Sequence, residues 1–390
     1  MEAFRLDDAP MLEARRSRAA ALAGSEDAEG LAERAAAGER LTDEELAALL
    51  LSPRISTEAL LAIARGRRPA GGPRIETFSP LYLTNTCDAE CLMCGMRRTN
   101  DDLRRETADE RTVEAQLDVL HRRGVRAVAI LTGEYHHGPT RQATIARTAR
   151  ALQAALARGY VHVLVNIGAL ECAEYDRLLA GVSRRPDGDV VPQLTMCTFQ
   201  ETYSRRLYAR FMGTAPDNPR SDFARRLSNF DRACDAGMWS ANPGVLLGLN
   251  DDVAFELLAL LAHVRHLERR GMVVYVSLPR LRKASGTPRH AGVSDDMLCR
   301  LVAVVSFGAP AARVVISTRE PAAIQRRLLP VIGVLTPGSP GVAPYTETGA
   351  RFDLEASQFE VLDHRPIEAI LGEHLAAGAT IGCYEPSPAA

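Results

Sequence analysis

Lysine is all but missing from this chain of 390 residues: Lys283 is the only one, and the cationic side chains are otherwise arginines. With the abundant alanine, this marks a GC-rich coding bias and carries no functional meaning. No apolar run reaches the ~18–20 residues that cross a bilayer, so no membrane span is expected. The opening MEAFRLDDAP is acidic and lacks the apolar stretch of a secretory signal. The expected location is the cytoplasm, where thiols stay reduced and disulfides are rare. A surplus of positive charge is lacking too. The formal net charge is −2, which excludes the basic footprint of a nucleic-acid binder. The length suffices for one large catalytic domain with appendages.

What is present is a cysteine triplet, Cys87-Asp-Ala-Glu-Cys91-Leu-Met-Cys94. Three thiolates around one tight loop can hold three irons of a [4Fe–4S] cube. No fourth cysteine lies nearby, so the last iron stays open to a small chelating molecule. A structural zinc site needs four ligands. Cys172, Cys197, Cys234, Cys299 and Cys383 are isolated and read as small buried hydrophobes. Zinc remains the weaker alternative. The C-x3-C-x2-C spacing resembles the signature of radical S-adenosylmethionine (SAM) enzymes. That resemblance implies a [4Fe–4S] cluster and SAM as cofactors.

Residues 1–73 are rich in Ala, Leu, Glu and Arg, without strand-like runs. MLEARRSRAAALA, LAERAAAGERL and TDEELAALLL read as short amphipathic helices, with Asp43 as a cap for the third. RRPAGGPRI (67–75) is a linker. Beyond it, apolar runs alternate with helical stretches: 81–86, 127–132, 162–167, 193–199, 243–249, 272–278, 313–318 and 331–336. Eight strand–helix units predict an α/β fold, a (β/α)8 TIM-type barrel over 74–340. The N-terminal helical extension covers 1–73, and a C-terminal segment, 341–390, completes or covers the barrel. The last interval, TREPAAIQRRLLP, is short for a crossover helix, so a partial barrel of six strands is the alternative. In either case chemistry belongs at the carboxyl ends of the strands.

Several polar residues follow predicted strands. Thr132-Gly133-Glu134 follows the second; radical SAM families often have Gly-Gly-Glu there, and the resemblance gives this stretch the SAM amine. Glu201 follows the fourth, where an ionised carboxylate can accept both hydroxyls of a ribose. Phe223-Ala224-Arg225-Arg226-Leu227 then supplies an arginine for the methionine carboxylate. By resemblance to the hydrogenase-maturase and biotin-synthase branch, Glu201 takes the ribose and Arg226 the carboxylate, although Arg225 is a close competitor. Leu246 in the fifth strand and Met93 beside the last cysteine are expected along the adenine.

The likeness narrows further. FSPLYLTNTCDAECLMCGMRRTN, ILTGEYHHGPTR, MCTFQETY, RRLYARFMG, NPGVLLGL, SLPRLR, STREP and TPGSPGVAPY resemble the radical SAM aromatic amino acid lyases over about Thr77 to Phe359. This family includes tyrosine lyases of thiamine and hydrogenase-cofactor synthesis and the tryptophan lyase of nosiheptide-type thiopeptide biosynthesis, which the motifs resemble most. The resemblance implies that Tyr82, Arg319 and Thr336 hold the amino-acid head group; Thr336 stands where the tryptophan lyase has a serine. It implies hydrogen abstraction from the amino group of L-tryptophan, Cα–carboxyl cleavage and migration to 3-methyl-2-indolic acid. Cα–Cβ cleavage of tyrosine or another aromatic amino acid is the alternative, and a non-catalytic zinc- or cluster-binding protein is the third. A flavodoxin- or ferredoxin-type electron donor is implied as partner. His136 and His137 read as loop residues. The region after Gln358 is expected either beneath the barrel or over its mouth.

Overall fold

A computed structural model describes residues 2–182, 193–287, 292–338 and 354–386. Its strands are β1 (Arg74–Thr77), β2 (Ser79–Tyr82), β3 (Ala127–Leu131), β4 (His162–Asn166), β5 (Gln193–Cys197), β6 (Ser240–Asn242), β7 (Val273–Ser277), β8 (Arg313–Ser317), β9 (Val334–Thr336) and β10 (Thr380–Gly382). All neighbouring strands pair in parallel. β1 and β2 are halves of one strand. Thr77 pairs with Leu335 of β9, and two residues later Ser79 pairs with Val128 of β3. The chain changes partner at Phe78 and so joins the two sides of the sheet. Counting β1 and β2 together with β3 to β9 gives an eight-stranded closed barrel, with β10 added outside β1. The partial barrel is set aside.

The strands are buried on both faces, as parallel strands covered by helices require. Phe78, Ala127, Ala129, Leu164, Tyr275, Val315 and Val334 form the apolar interior of the barrel, whereas Val128 and Ile130 of β3 face the helices. Two expected strands are displaced. The first stops at Tyr82, and 83–86 turns into the cysteine loop. The fifth lies at Ser240–Asn242, ahead of 243–249. Pro243 has no N–H for a ladder, and the following residues touch their neighbours only through single bridges, Gly244 with Ser277, Val245 with Glu201 and Leu247 with Arg280. The last crossover helix, Ala322–Leu328, is as short as its sequence suggested.

Four helices precede the barrel: Ala9–Gly24, Asp27–Ala36, Asp43–Leu51 and Thr57–Gly66. The fourth has no counterpart in the sequence reading. Thr42, not Asp43, caps the third: its hydroxyl accepts from Glu45 N at 3.2 Å while Glu45 accepts from Thr42 N at 2.7 Å. Asp43 instead pairs with Arg15 at 3.2 Å and Arg265 at 2.6 Å. Leu46, Leu49, Leu50, Leu60 and Leu61 are buried where these helices meet the barrel helices Val253–Arg269 and Asp295–Gly308. Truncating one such leucine costs about 2–5 kcal/mol. Arg300 donates to the carbonyls of Leu49, Leu50, Ser52 and Ile55 at 2.6–2.9 Å, satisfying the orphan end of Asp43–Leu51.

The expected boundary at 340/341 lies outside the described residues, as does most of TPGSPGVAPY. Of the C-terminal segment, 354–363 crosses the mouth: Gly95 N donates to Gln358 O at 2.9 Å, Glu360 N to Lys283 O at 2.7 Å and Leu362 N to Thr318 O at 3.0 Å. The helix Ile367–Ala376 then leads to β10, and residues after it run under the barrel, with Arg126 N donating to Cys383 O and Glu385 N to Gly124 O, each at 2.8 Å. The tail thus both covers the mouth and closes the bottom. No described helix is long and apolar enough to cross a membrane.

Candidate active site

A cavity of about 190 Å³ opens at the carboxyl ends of the strands. Its walls include every site residue named from the sequence: Tyr82, Cys87, Cys91, Met93, Cys94, Thr132, Gly133, Glu134, Glu201, Arg226, Leu246, Arg319 and Thr336. His136 and His137 are exposed outside it, packed edge to face on one another.

The cysteine loop begins as an extension of the sheet, with Leu83 N bonded to Leu131 O at 2.9 Å. Two side chains then hold it. Asn85 donates to Arg104 O at 2.7 Å and Ala356 O at 2.9 Å and accepts from Glu106 N at 2.6 Å. Arg105 donates to the carbonyls of Asn85, Met96, Arg97 and Asn100 at 2.7–3.1 Å. Gly133 permits the close approach of this loop to the end of β3, because a Cβ there would lie 1.9 Å from Thr86 O and 2.7 Å from Cys87 Cβ. Glu134 N then donates to Cys87 Sγ at 3.3 Å. Burial pushes the Cys87 thiol up to about 12, with Cys91 and Cys94 adding to the shift, and burial pushes Cys91 up to about 11 against the pull of Arg220. Buried thiols of this kind ionise when a metal takes them. Among the described residues no three such donors converge to hold one ion. A cube places each thiolate on its own iron and needs a wider spacing.

Beyond the thiols lies a buried ion network. Glu134 accepts from Ala169 N at 3.0 Å and from Arg226 at 2.9 Å. Its carboxylate fits against Gly168, where φ is +88° and a Cβ would clash at 2.3 Å. Arg226 also donates to Phe199 O at 2.6 Å, so this guanidinium is tied down at both ends. Arg225 turns outward to Glu171 and Ala169 O. Arg220, which no sequence motif marks, is buried and donates to Glu201 at 2.7 Å. Its Nε is buried without a hydrogen-bond partner among the described residues, 3.7 Å from Glu134 and beyond bonding range. The Tyr208 hydroxyl is likewise buried and unpartnered, in the field of Arg226 and Arg220. Arg220 sits in a loop, where no periodicity marks it. Glu201 itself adopts φ +69°, a conformation that costs a non-glycine residue and often signals function. Its carbonyl accepts from Leu246 N at 2.9 Å, which brings Leu246 beside it.

Across the cavity, Arg319 follows β8. Burial pulls its guanidinium down to about 10, and it forms no ion pair among the described residues. Its neighbour Glu320 is buried and bonded to Arg280 and to Arg282 at 2.8 Å. The Phe359 ring covers one face of Arg319, 3.3 Å from the guanidinium carbon to the ring centroid. Tyr82 is buried and donates to Gln358 Oε1 at 3.0 Å. Thr336 ends β9 beside Ser317, its partner in the sheet. Gln358 and Phe359 were not singled out from the sequence either. They reach the site through a strap 276 residues downstream of Tyr82 in the chain, with no local pattern to announce it.

The cavity thus combines three thiols, a carboxylate after β5 and, among the described residues, buried donors without a hydrogen-bond partner and a cation without an ion pair. This donor set fits a [4Fe–4S] cluster with SAM on its open iron, the cofactor pair expected from the cysteine spacing. No protein-family model matches the chain. It is similar to 2-iminoacetate synthase of Escherichia coli (strain K12), 28% identical over 356 residues, spanning 89% of this chain and 88% of that protein. The 2-iminoacetate synthase of Salmonella typhimurium is 27% identical over 77% of this chain and 76% of its own length. Among solved structures, the [FeFe]-hydrogenase maturase HydG superposes with a TM-score of 0.78 at 28% identity, over 96% of this chain and 80% of that one. HydG from Carboxydothermus hydrogenoformans gives 0.81 at 24% identity, over 96% and 85%, and shows the shared fold. These likenesses support the radical SAM aromatic amino acid lyase family and single out no substrate within it.

Proposed function

We propose that this protein is a radical SAM lyase that removes a hydrogen atom from the amino group of an aromatic amino acid and breaks a bond at Cα. The observation that carries this reading is Arg319: a buried cation without a carboxylate partner among the described residues, lining the same cavity as the three thiols. Such a cation is an anion receptor in waiting. It would take the substrate carboxylate in bidentate fashion, with the Tyr82 and Thr336 hydroxyls beside the amino acid.

When bound, the cluster and SAM supply a 5′-deoxyadenosyl radical, which takes whichever hydrogen lies within contact distance. Cys87, Cys91 and Cys94 hold the cluster. Glu201 has one carboxylate oxygen on Arg220 and the other free for the ribose. Arg220 offers its unsatisfied Nε to the methionine carboxylate, while Arg226 fixes Glu134 for the amine. Leu246 and Met93 flank the adenine. Arg319 fixes the carboxylate, and so decides that the amino group and not the ring meets the radical.

With that hydrogen gone, a bond at Cα breaks. The lead reading is L-tryptophan with Cα–carboxyl cleavage, the carboxyl fragment being retained near Arg319 and transferred to the indole while the Cα–Cβ bond breaks and Cα leaves with the amine as methanimine, to give 3-methyl-2-indolic acid for a thiopeptide-type natural product. A second reading has a specific support in the 2-iminoacetate synthases: 2-iminoacetate keeps the carboxylate, so it arises by Cα–Cβ cleavage, as from tyrosine. Electrons are expected from a flavodoxin or ferredoxin. The test is anaerobic reconstitution with SAM, reductant and either amino acid. 3-Methyl-2-indolic acid from tryptophan supports the lead reading. p-Cresol from tyrosine alone replaces it with the second. No 5′-deoxyadenosine with any aromatic amino acid rejects an enzyme of this class and leaves a metal-binding protein.

A further inference from the structure

The residues nominated for the head group come from two strands that do not pair with each other, Tyr82 from β2 and Arg319 after β8, with β9 between β8 and the β1–β2 strand. Neither is held by its own strand neighbours alone. One short stretch of the C-terminal strap reaches both: Gln358 accepts the Tyr82 hydroxyl at 3.0 Å, and the next residue, Phe359, lies face-on against Arg319. The strap is itself fixed by the cysteine loop. Gly95, the residue after Cys94, donates its N–H to Gln358 O at 2.9 Å, and a Cβ on Gly95 would strike Ser357 O at 2.6 Å. Further along, Leu362 N and Asp363 N both donate to Thr318 O, at 3.0 and 3.1 Å, one residue before Arg319. Asp363 is held in turn by Gln325 at 2.9 Å and Arg365 at 2.7 Å.

We infer that Gln358 and Phe359 are positioning residues of the amino-acid subsite, and that the strap, not the barrel alone, sets the substrate's head group. This inference rests on the reading of Arg319 and Tyr82 as head-group contacts. Phe359 occupies one face of the guanidinium, where the negative face of the ring favours the cation. With that face closed, a carboxylate approaches in the guanidinium plane, the bidentate geometry that orients as well as binds. Gln358 holds the Tyr82 hydroxyl at the height of the cysteine loop, so the distance between head group and cluster is fixed by one continuous piece of chain. The substrate class that follows is an α-amino acid with a free carboxylate. A peptide or ester would lack the in-plane anion.

The test compares the unsubstituted, cluster-loaded protein with Phe359→Leu and Phe359→Tyr by anaerobic calorimetric titration of L-tryptophan and L-tyrosine in the presence of S-adenosylhomocysteine. Phe359→Leu should weaken amino-acid binding by roughly tenfold, the scale of a desolvated cation–π contact, and Phe359→Tyr should restore it. Cluster absorbance should be unchanged in both. A second readout is hydrogen exchange of residues 354–363, which should slow on addition of the amino acid to the unsubstituted protein. Equal affinities in all three proteins, or exchange indifferent to the amino acid, would overturn the inference while leaving the lyase reading intact. Absence of binding by the unsubstituted protein would remove both.

Discussion

Arg226 donates to Glu134 at 2.9 Å, so two residues expected from sequence to make separate SAM contacts are bonded to each other. Among the described residues, Arg220 Nε is a donor of this network without a hydrogen-bond partner. Arg220→Met should therefore weaken SAM binding by at least roughly tenfold, the scale of one charge-assisted hydrogen bond, with the iron content kept. Arg226→Lys should disturb Glu134 and weaken binding less. Equilibrium binding of radiolabelled SAM to the reconstituted variants checks this. Full binding by Arg220→Met with loss in Arg226→Lys would return the carboxylate contact to Arg226.

Gly133 is where the cysteine loop rests on the end of β3. Gly133→Ala places a methyl group 1.9 Å from Thr86 O, so the loop must move off the strand, and Cys87 with it. The variant should fold but incorporate much less iron and sulfide. Cys91→Ala should lose the [4Fe–4S] signal outright. An unaltered visible and EPR spectrum in Cys91→Ala would refute the ligand assignment.

Arg319→Ala should abolish amino-acid-dependent turnover and leave SAM binding and the cluster in place, because its side chain lines the cavity without an ion pair to Glu134 or Glu201. Product assays alongside SAM binding separate the two effects. Loss of SAM binding would show that Arg319 belongs to the cofactor.

His162 and His263 are buried, and burial lowers each to about 3 from an ordinary value of 6.5. Between those values the unfolded chain binds the proton and the folded one does not, so stability rises with pH across that window and falls on acidification. From pH 7 to pH 5 the loss should be up to roughly 2 kcal/mol per histidine. His162→Gln, which keeps a hydrogen-bonding group near Thr195, should flatten this slope. Urea unfolding midpoints at pH 5, 6 and 7 measure it, and a slope unchanged by the substitution would assign the acid sensitivity elsewhere.

Much of the cavity's polar lining was legible because cysteines at fixed spacing and charged residues at strand ends stand out from the apolar background. Three cysteines in one loop and charged residues just after apolar runs identify themselves. The barrel was legible through its buried strands, which read as unbroken apolar stretches. The errors have physical causes. Leu246 and its neighbours look like a strand, but Pro243 cannot continue the ladder, and the strand proper is the less apolar Ser240–Asn242. Asp43 has the character of a cap, yet Thr42 precedes it and meets Glu45 in reciprocal bonds. Arg220, Gln358 and Phe359 escaped notice because loops carry no period, and their roles come from contacts between chain segments far apart in sequence.

The central claim is that the substrate's amino group gives up the hydrogen. Turnover in D2O tests it most directly, since N–H exchanges with solvent and C–H does not. The account predicts deuterium in the 5′-deoxyadenosine formed from unlabelled amino acid in D2O, and none from Cα- or Cβ-deuterated substrate in H2O. Deuterium arriving from a labelled carbon, with none from D2O, would contradict it.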